Sequence, residues 1–495
     1  MEKIVALAKR RGFIYPGSEI YGGLANTYDY GPVGVELLRN IKNLWWKYFV
    51  QTRPDMVGID GSIISHHKIW EASGHVASFA DAMVDCKNCK SRFRADHIIE
   101  DYIAESIRVR EKDYGSRENA LKKIDEDLEK KRFLHLSTDE VKDAFKTEKV
   151  EGWNNEKMDE FIDIFQIHCL NCKHVEWTKV RKFNQLFPVQ LGLIEGEAGS
   201  GYLRGETAQL IFTNFRNVVD SNRVRLPFGI AQLGKSFRNE ITPGNSVFRT
   251  IEFEQGEIEY FFDPEETAWE PLFEEWKKKM NDFVTKELGI EKDHLRWRSH
   301  TDEERSFYSK RTEDLEYQFP FGFKELWGLA YRTDYDLTQH KEASKKDLTI
   351  TDPKSGKKIL PHVIEPAVGI NRLLLMVLAD AYVEEEKRTV LKIAPKLAPY
   401  KVAVFPLLAN KPDLVTKAQE VFSLLSPEFM AAFDDRGNIG KRYLSQDEIG
   451  TPWCVTIDFE TLENDTVTIR DRDTTTQERV SIKDLISHFT KKLES

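Results

Sequence analysis

The chain has 495 residues, 40% of them hydrophobic and 31% charged, and its formal net charge is −10. This composition excludes a membrane-embedded or low-complexity chain and predicts a soluble protein of about three domains. The N-terminus carries no long apolar segment, and the most apolar stretch, residues 373–379, is far too short to cross a bilayer. We therefore expect a cytoplasmic protein without a membrane partner. The acidic total does not indicate nucleic-acid binding, but basic stretches at 179–182 and 387–401 leave a local nucleic-acid surface open.

The N-terminal part of the chain predicts strand and loop, followed by one long helix. Residues 1–32 are rich in Gly and Tyr and lack helical periodicity, which indicates strand and loop. From residue 33, Leu37, Ile41 and Trp45 recur at helical spacing and predict an amphipathic helix. Pro54 then ends this helix, and a strand is expected over residues 56–64.

Four of the five cysteines form two C-x-x-C pairs, Cys86 with Cys89 and Cys169 with Cys172. Two such pairs can present four thiolates to one tetrahedral zinc ion, which leaves no open catalytic position. A structural zinc site is the leading interpretation. Two pairs of free thiols are the alternative, and His168 and His174 remain possible substitute ligands.

The segment between the two cysteine pairs predicts an insertion. Residues 98–165 are rich in Glu, Lys, Asp and Arg at helical spacing, without a cluster of polar residues typical of an active site. The two pairs can meet at one metal only if this charged helical segment loops out between them.

Residues 229–262 predict a long antiparallel hairpin. Two runs of alternating apolar and polar residues flank Pro243-Gly244-Asn245, which is a turn signal. Alternation would place polar and aromatic side chains on one face of each arm: Ser236, Arg238 and Glu240 on the first, and Ile251, Phe253, Gln255 and Glu257 on the second. A buried face with so much charge is unfavourable unless a polar ligand meets it, and this set suits a nucleotide and an amine. The alternative is an exposed hairpin with a solvated charged face.

Three further patterns follow in chain order. Residues 261–288 have strong helical periodicity and predict a packing helix. Residues 362–382 predict a buried strand, a glycine turn and an apolar helix, with Arg372 in the first turn, where the helix dipole favours a bound phosphate. From residue 401, alternating strands and helices around a glycine-rich turn at 434–442 predict a compact α/β domain.

An ordered set of motifs resembles those of a known family. Phe237-Arg238-Asn239-Glu240 followed by Arg249-Thr250-Ile251-Glu252-Phe253 is similar to motif 2 of the class II aminoacyl-tRNA synthetases. The sequence segments around it narrow the resemblance to the dimeric glycyl-tRNA synthetases. The supporting segments cover most of the chain outside the insertion: 10–32, FRADH at 93–97, YLRGETAQ at 202–209, FEQGEIEYF at 253–261, RTDYDL at 332–337 and 439–458.

The resemblance implies an α+β fold. Its parts are a class II catalytic core built on an antiparallel sheet with flanking helices, a helical insertion and a C-terminal α/β anticodon-binding domain. The expected boundaries are 1–97 and 166–380 for the core, 98–165 for the insertion, 381–400 for a linker and 401–495 for the anticodon-binding domain. The long helix and the strand after it resemble motif 1, which forms the dimer interface in the family, so a homodimer is expected.

The resemblance also implies a reaction, glycine–tRNA ligation with ATP and Mg²⁺, whose partners are glycine and tRNA(Gly). Arg238 and Arg372 are the implied catalytic residues. The implied ATP-binding residues are Arg238, Asn239, Glu240, Phe248, Arg249, Phe253, Glu325, Leu326, Gly369 and Arg372. The implied glycine-binding residues are Arg94, Glu206, Phe253, Gln255, Glu257, Glu365 and Gly369.

Two positions depart from the family pattern, and two other functions compete. The family usually has Pro at Gly205 and Ser at Ala367, so the placement of glycine could differ here. A non-enzymatic relative, such as the accessory subunit of mitochondrial DNA polymerase, would be expected to lose the arginines at 238, 249 and 372, which are present. An adenylate-forming ligase acting on another substrate would not need the domain after residue 400.

Overall fold

The computed structural model describes residues 1–78, 80–150, 152–191, 199–240, 244–301, 305–306, 308–352 and 355–494. The chain divides into two compact units. The first comprises Met1–Ile63, Glu206–Ser236 and Gly244–Ser495, and the second comprises Ile64–Gly205 and Phe237–Pro243. Within the described ranges, no helix has the length and apolar character that a membrane span requires.

The helices alternate with short strands through both units. In chain order the helices are α1 (Glu2–Arg10), α2 (Pro32–Trp46), α3 (His67–Ala72), α4 (His75–Ser78), α5 (Ala95–Tyr114), α6 (Arg117–Leu128), α7 (Thr138–Thr147), α8 (Asn155–Phe165), α9 (Ala208–Ser221), α10 (Trp269–Asp282), α11 (Tyr335–Ser344), α12 (Ile370–Ala381), α13 (Pro412–Leu425), α14 (Ile439–Ile449), α15 (Phe459–Asn464) and α16 (Leu485–Glu494).

The strands form several sheets, of which the largest belongs to the first unit. In chain order they are β1 (Ile14–Pro16), β2 (Tyr28–Tyr30), β3 (Met56–Gly58), β4 (Ile64–His66), β5 (Ala80–Asp85), β6 (Arg92–Arg94), β7 (Arg181–Asn184), β8 (Phe187–Leu191), β9 (Gly199–Leu203), β10 (Phe228–Phe237), β11 (Glu252–Phe262), β12 (Leu295–Ser299), β13 (Arg311–Phe319), β14 (Gly322–Thr333), β15 (Ile350–Thr351), β16 (Lys358–Ile359), β17 (His362–Gly369), β18 (Tyr382–Glu384), β19 (Thr389–Leu391), β20 (Val402–Pro406), β21 (Ala431–Phe433), β22 (Trp453–Ile457), β23 (Thr466–Asp471) and β24 (Gln477–Ser481).

A seven-stranded sheet organises the first unit, in the order β12-β13-β14-β17-β11-β10-β3. The pairs from β12 to β11 are antiparallel, and β3 joins β10 in parallel. Successive side chains of a strand point to opposite faces. On β11, Ile258, Tyr260 and Phe262 belong to the main hydrophobic core, which also contains buried residues of α2, α10 and α12. The opposite face of β11 is free to carry polar residues.

The predicted hairpin is only partly correct. Its arms, β10 and β11, are hydrogen-bonded neighbours, but β10 ends at Phe237, so the alternation predicted for Arg238 and Glu240 is wrong. The described residues between the two strands, 238–240 and 244–251, contain a 3-10 turn at Ser246–Phe248. At Gly244 this connection folds back closely, since an added Cβ would lie 2.4 Å from Arg249 Cβ. Pro243 of the predicted turn lies outside the described residues.

The start of the chain also differs from the prediction of strand and loop. Residues 2–10 form α1, because Ile4, Leu7 and Ala8 recur at helical spacing and are buried. The long helix predicted from residue 33 is confirmed as α2, which continues through a π-helical turn at Lys47–Gln51. The strand after it is shorter than predicted and covers Met56–Gly58. The helix predicted after the hairpin is confirmed as α10.

The second unit contains a helical subdomain with its own core. Helices α5 to α8 bury aliphatic and aromatic residues against one another, among them Ile99, Ile103, Val141 and Phe161. Two three-stranded sheets accompany them, β6-β5-β7 and β4-β9-β8. The prediction of charged helices between the cysteine pairs is confirmed.

The α/β domain predicted from residue 401 is confirmed as the five-stranded sheet β21-β20-β22-β23-β24. Strands β20, β21 and β22 pair in parallel, and β23 and β24 add on antiparallel. One detail was wrong: α14 begins at Ile439, inside the predicted glycine-rich turn. The Asn438 side chain accepts a hydrogen bond from Lys441 N at 2.9 Å, which caps this helix and lets it start there.

Candidate active site

Several acidic side chains lie buried on the polar face of the seven-stranded sheet. Gln255, Glu257 and Glu259 alternate along β11 and are all buried. Glu365 on β17 is buried as well. The β11–β17 register brings the two strands together with Glu257 opposite Ala367. Buried carboxylates are stable only with hydrogen-bonded or charged partners, so their surroundings define the site.

Glu257 caps a helix. Its Oε2 accepts hydrogen bonds from the backbone amides of Thr207 and Ala208, both at 2.7 Å, and from the Thr207 hydroxyl. These amides open α9, where the helix dipole favours a negative charge. Gln255 Nε2 donates to the other oxygen, Oε1, at 3.1 Å. Glu257 is therefore held rigidly at the start of α9.

Arg332, at the end of β14, is the cation of this group. Its Nε and Nη2 donate to the Asp336 carboxylate at 2.8 and 2.9 Å, and its Nη1 donates to Glu365 Oε1 at 2.8 Å. Burial alone would lower the pKa of Arg332, but Asp336 and Glu365 raise it well above its ordinary value. The ring of Tyr308 lies 3.9 Å from this guanidinium. Arg332 is thus a fixed positive charge.

A glutamine links this ion pair to Glu206. Gln209 Nε2 donates to Glu206 Oε1 at 3.1 Å and to Asp336 Oδ1 at 2.9 Å. Its amide oxygen lies 2.9 Å from His340 Nε2. We call six buried ionisable residues of this region, of which Glu257 and Glu259 lie on β11, the acidic pocket: Glu206, Glu257, Glu259, Arg332, Asp336 and Glu365. With five carboxyl groups and one guanidinium, the acidic pocket favours a cation.

Burial changes the protonation of these acids. Burial, opposed by Arg332, raises the pKa of Glu365 to about 8. Burial and the charge of Glu365 raise the pKa of Glu259 well above its ordinary value. A carboxyl with a strongly raised pKa in a polar pocket is a candidate for direct involvement in binding.

Small residues leave space on the sheet beside these acids. Gly328 on β14 lies opposite Ala367, and Ala330 lies opposite Glu365. An added Cβ at Gly328 would lie 3.8 Å from Asp314 Oδ1, so a small group fits there in ordinary contact. A small ligand can therefore lie against the strands next to the acidic pocket.

A second group of predicted residues meets near the start of α12. Arg372 Nη1 lies 3.0 Å from Glu325 Oε1 and donates to Glu325 O at 3.1 Å, and Nε donates to Phe248 O at 3.3 Å. The guanidinium also lies 4.6 Å from the centroid of the Phe248 ring. We call Phe248, Glu325 and Arg372 the arginine end of the sheet face. The sequence predicted all three as ATP ligands, and the structure brings them together.

The first unit holds further predicted residues outside these two groups: Leu326, Arg249, Phe253 and Gly369. Leu326 has a fully buried side chain in the main core, so only its backbone is available to a ligand. Arg249 and Phe253 are half-buried in the first unit. Gly369 ends β17 and precedes α12.

Four predicted ligands belong to the second unit, and their roles stay predictions. Arg238 Nε donates to Gly205 O at 2.9 Å, and Asn239 N donates to Gln185 O at 2.8 Å. Arg94 is paired with Asp96 through two hydrogen bonds of 3.1 and 2.6 Å. Glu240 is the fourth.

Several residues in and around the acidic pocket were not predicted from the sequence. Arg332 and Asp336 lie in the motif RTDYDL, but no role was assigned to them, although their i, i+4 spacing at a strand end was a possible signal. Gln209 and Glu259 lie two or three residues from predicted ligands and were also missed.

The four cysteines of the two C-x-x-C pairs form one cluster in the second unit. Their sulfur atoms all lie within 4.8 Å of one another, with 3.5 Å between Cys86 and Cys172 and 3.6 Å between Cys89 and Cys169. A tetrahedral zinc ion with Zn–S bonds of about 2.3 Å places its sulfurs about 3.8 Å apart, so the cluster fits zinc. Among the described residues neither alternative histidine joins the cluster, and His174 Nδ1 lies 3.1 Å from Cys172 O instead.

The two cysteine turns have the same backbone geometry. After the second cysteine of each pair, Lys90 (φ 60°) and Lys173 (φ 62°) adopt the left-handed conformation. In each turn this lysine's amide also donates to the carbonyl of the first cysteine, at 3.0 Å from Cys86 and 2.9 Å from Cys169. Such matched, strained turns indicate a constrained site.

Three family models match the chain. The tRNA synthetase class II core domain (G, H, P, S and T) matches residues 194–381, which include the acidic pocket and the arginine end. The glycyl-tRNA synthetase insertion domain 1 matches residues 81–185, which carry the cysteine cluster. The anticodon binding domain matches residues 401–492.

Curated relatives match over the full length. The glycine–tRNA ligase of Caldanaerobacter subterraneus subsp. tengcongensis is 49% identical over 499 residues, which are 100% of this chain and 98% of the relative. The glycine–tRNA ligase of Clostridium tetani is 49% identical over 500 residues, with the same coverage. That of Alkaliphilus oremlandii is 46% identical over 500 residues, again with 100% and 98% covered. The chain therefore belongs to the glycine–tRNA ligase family of class II aminoacyl-tRNA synthetases.

Proposed function

We propose that the chain joins glycine to tRNA(Gly) in two steps, with the acidic pocket as the glycine site and the arginine end as part of the ATP site. The observation that carries the proposal is the acidic pocket itself, which has five buried carboxyl groups around one guanidinium. Such a pocket stabilises a small ammonium ion and disfavours an anion.

The ammonium group of glycine would bind among Glu206, Glu257 and Glu365. Glu206 and Glu257 are held in place by Gln209 and by the start of α9, so neither has to reorganise on binding. Phe253, Gln255 and Gly369 are the further glycine ligands proposed in the first unit, and Arg94 is a glycine ligand proposed from the sequence alone. A side chain on the substrate's α-carbon would displace one of these fixed groups, which is a physical basis for choosing glycine.

ATP would bind at the arginine end. Arg372 would leave Glu325 and Phe248 and bind the γ-phosphate with a bidentate fork, a geometry that suits guanidinium. Arg249 would bind the terminal phosphates, Phe253 would stack on adenine, and the backbone of Leu326 would contact the base. Arg238, Asn239 and Glu240 are the further ATP ligands proposed from the sequence.

In the first step a carboxylate oxygen of glycine attacks the α-phosphorus of ATP. A new C(O)–O–P bond forms, the bond to the β,γ-pyrophosphate breaks, and glycyl-adenylate and pyrophosphate result. The residues here align the reactants and stabilise charge, and a protein base is not needed. Family membership implies use of Mg²⁺, which neutralises the phosphates, and the Glu325 carboxylate is an oxygen ligand of the kind that Mg²⁺ prefers.

In the second step a hydroxyl of the terminal tRNA ribose attacks the glycyl carbonyl, and AMP leaves.

The proposed domains follow the boundaries expected from the sequence. The core would span 1–97 and 166–380, the insertion would span 98–165, and the linker would span 381–400. The domain at 401–495 would bind the anticodon. Helix α2 and strand β3 support a homodimer through their resemblance to motif 1. A role in translation supports a cytoplasmic location.

The cysteine cluster would hold one structural zinc ion. The four thiolates, their spacing and the matched turns at Lys90 and Lys173 support this role. Elemental analysis of the purified chain should find about one zinc per chain. The Cys86→Ser and Cys172→Ser variants should lose it, whereas Cys454→Ser, a buried cysteine of the C-terminal domain, should keep it. A metal-free unmodified chain would contradict the proposal.

Amino-acid-dependent ATP–pyrophosphate exchange tests the proposed reaction. Each amino acid is offered separately without tRNA, and glycine alone should support exchange. Exchange with alanine or serine would mean that Ala367 has changed the pocket's choice. Absence of exchange with every amino acid would overturn the proposal and favour a non-enzymatic relative.

A further inference from the structure

Glu259 belongs to the acidic pocket but is not among the proposed ligands of glycine. Its side chain is 0% exposed, and neither carboxyl oxygen has a hydrogen-bond partner within the described part of the chain. Buried polar groups nearly always have partners, because removing them from water without compensation is unfavourable. An unpartnered acid beside a binding pocket is therefore a candidate for a role there.

The sheet register makes Glu259 a direct neighbour of Glu365. The β11–β17 pairing runs from Glu257 opposite Ala367 to Tyr260 opposite Ile364, which puts Glu259 opposite Glu365. Residues directly opposite each other have Cβ atoms about 5 Å apart, so the two carboxyl groups interact.

Arg332, the cation that could neutralise both Glu259 and Glu365, already has carboxylate partners. Each of the three guanidinium nitrogens of Arg332 donates to a carboxylate, two to Asp336 and one to Glu365 Oε1. The other charged groups that face Glu259 are the acids Glu257, on its own strand, and Asp336, on α11. Two adjacent carboxyl groups with one shared counter-charge do not both ionise.

We propose that Glu259 is a positioning residue of the acidic pocket that keeps a proton, presents a neutral carboxyl group to Glu365 and so leaves Glu365 ionised for the substrate ammonium group. This inference rests on the proposed function of the acidic pocket. A neutral carboxyl has one O–H donor, and a carboxylate has about four acceptor positions. Arg332 occupies Glu365 Oε1, and no other described residue donates to Oε2, so Oε2 can accept from both Glu259 and an ammonium group.

The experiment compares Glu259→Gln, Glu259→Met and Glu365→Gln in glycine-dependent ATP–pyrophosphate exchange from pH 6 to 9. Gln keeps a neutral donor, so kcat/KM for glycine should stay within about threefold of the unmodified chain. Met removes the donor, so KM for glycine should rise about tenfold with kcat and KM for ATP nearly unchanged. Because Glu365 would then lack the proposed hydrogen bond to its charged form, the Met variant's pH profile should also move upward by about one unit.

Three results would overturn the inference in different ways. A loss in Glu259→Gln as large as that in Glu365→Gln would make Glu259 an ionised ligand of the ammonium group. If Glu259→Met matches Glu259→Gln in KM for glycine and in pH profile, Glu259 is only a packing residue. If Glu259→Met fails to fold, the comparison of Glu259→Gln with Glu365→Gln still tests the inference. Absence of glycine exchange in the unmodified chain would remove the proposed function and this inference together.

Discussion

At the acidic pocket Glu257 and Arg332 are buried and held by hydrogen-bonded partners. At the arginine end, by contrast, the guanidinium of Arg372 is partly exposed and contacts Glu325 and Phe248. Glu257 accepts from the first amides of α9, and Arg332 is locked between Asp336 and Glu365. Arg372 instead pairs with Glu325, whose side chain is 49% exposed. One end of the sheet face is preorganised for its ligand, and the other must exchange partners.

The difference follows from ligand size and charge. A small ammonium ion gives few contacts, so its site must be rigid in advance to bind it well. A triphosphate brings several charges and can replace Glu325 as the partner of Arg372. If this account is right, substitutions at the two ends should affect different kinetic constants.

The largest effect is expected from Glu365→Gln. Removing one partner of a buried, hydrogen-bonded charge pair between protein and ligand typically costs about 2–5 kcal/mol of binding free energy, so glycine-dependent exchange should fall about 100-fold in kcat/KM. The loss should appear in KM for glycine, and KM for ATP should change little. An unchanged KM for glycine would show that the acidic pocket does not bind the ammonium group.

Arg372→Ala should have the next largest effect, at the opposite end. Loss of a donor that stabilises the leaving pyrophosphate should lower kcat about 100-fold, and Arg372→Lys should recover only part because Lys lacks the bidentate fork. KM for glycine is the internal control and should stay near its original value. Equal rises in both KM values would contradict the separation of the two ends.

These two substitutions concern residues that the sequence identified. Glu206, Glu257 and Glu365 were predicted as ammonium ligands, and the structure places them in one pocket because local motifs carry both residue type and strand alternation. Phe248, Glu325 and Arg372 were predicted as ATP ligands from the same kind of signal. Their meeting at the start of α12 follows from the sheet order.

Other parts of the site depend on contacts between distant segments and were not predictable. The partners of Arg332 are set by where β14 ends and by the register of β17, which no local pattern contains. Glu259 continues the alternation of Gln255 and Glu257 along β11, and its unusual state comes from its position opposite Glu365. Residues 238–240 were placed on a strand because the pattern continued, but the chain leaves the sheet at Phe237.

The pH dependence of glycine binding sharpens the comparison. Burial raises the pKa of Glu365 to about 8, and only the ionised form attracts an ammonium group. As pH falls below about 8, KM for glycine should therefore rise by up to about tenfold per pH unit. Above about pH 8, KM for glycine should be constant. The proposed ATP contacts do not involve Glu365, so KM for ATP should stay flat between pH 6 and 9. A parallel rise in both constants would contradict this account.

The smallest expected effect is on the melting temperature, which should change in opposite directions for substitutions of two buried acids, Glu259 and Glu313. Glu259 has a raised pKa, so between its unfolded and folded pKa values the folded chain holds a proton that the unfolded chain has lost, and stability falls as pH rises. Glu259→Gln should remove this penalty and raise the melting temperature at pH 8 by about 2–4 °C, with less gain at pH 5.

Glu313 is the matched control on strand β13. Burial alone would raise its pKa, but hydrogen bonds from Lys277 and Arg311 hold the pKa of Glu313 below its ordinary value. Its stabilisation is present above the unfolded pKa and is lost as pH falls through the folded pKa, so Glu313→Gln should lower the melting temperature at pH 8. Thermal unfolding followed by circular dichroism measures both variants, and a drop for both would contradict the protonated state of Glu259.

A crystal structure with a non-reactive glycyl-adenylate analogue, a glycylsulfamoyl adenosine, tests the central claim most directly. The account predicts the ammonium nitrogen within about 3 Å of Glu206, Glu257 and Glu365, with these side chains and Arg332 unmoved from the positions described above. With ATP bound instead, Arg372 should have left Glu325 for the γ-phosphate. An ammonium group outside the acidic pocket, or an acidic pocket that rearranges while Arg372 stays on Glu325, would contradict the account.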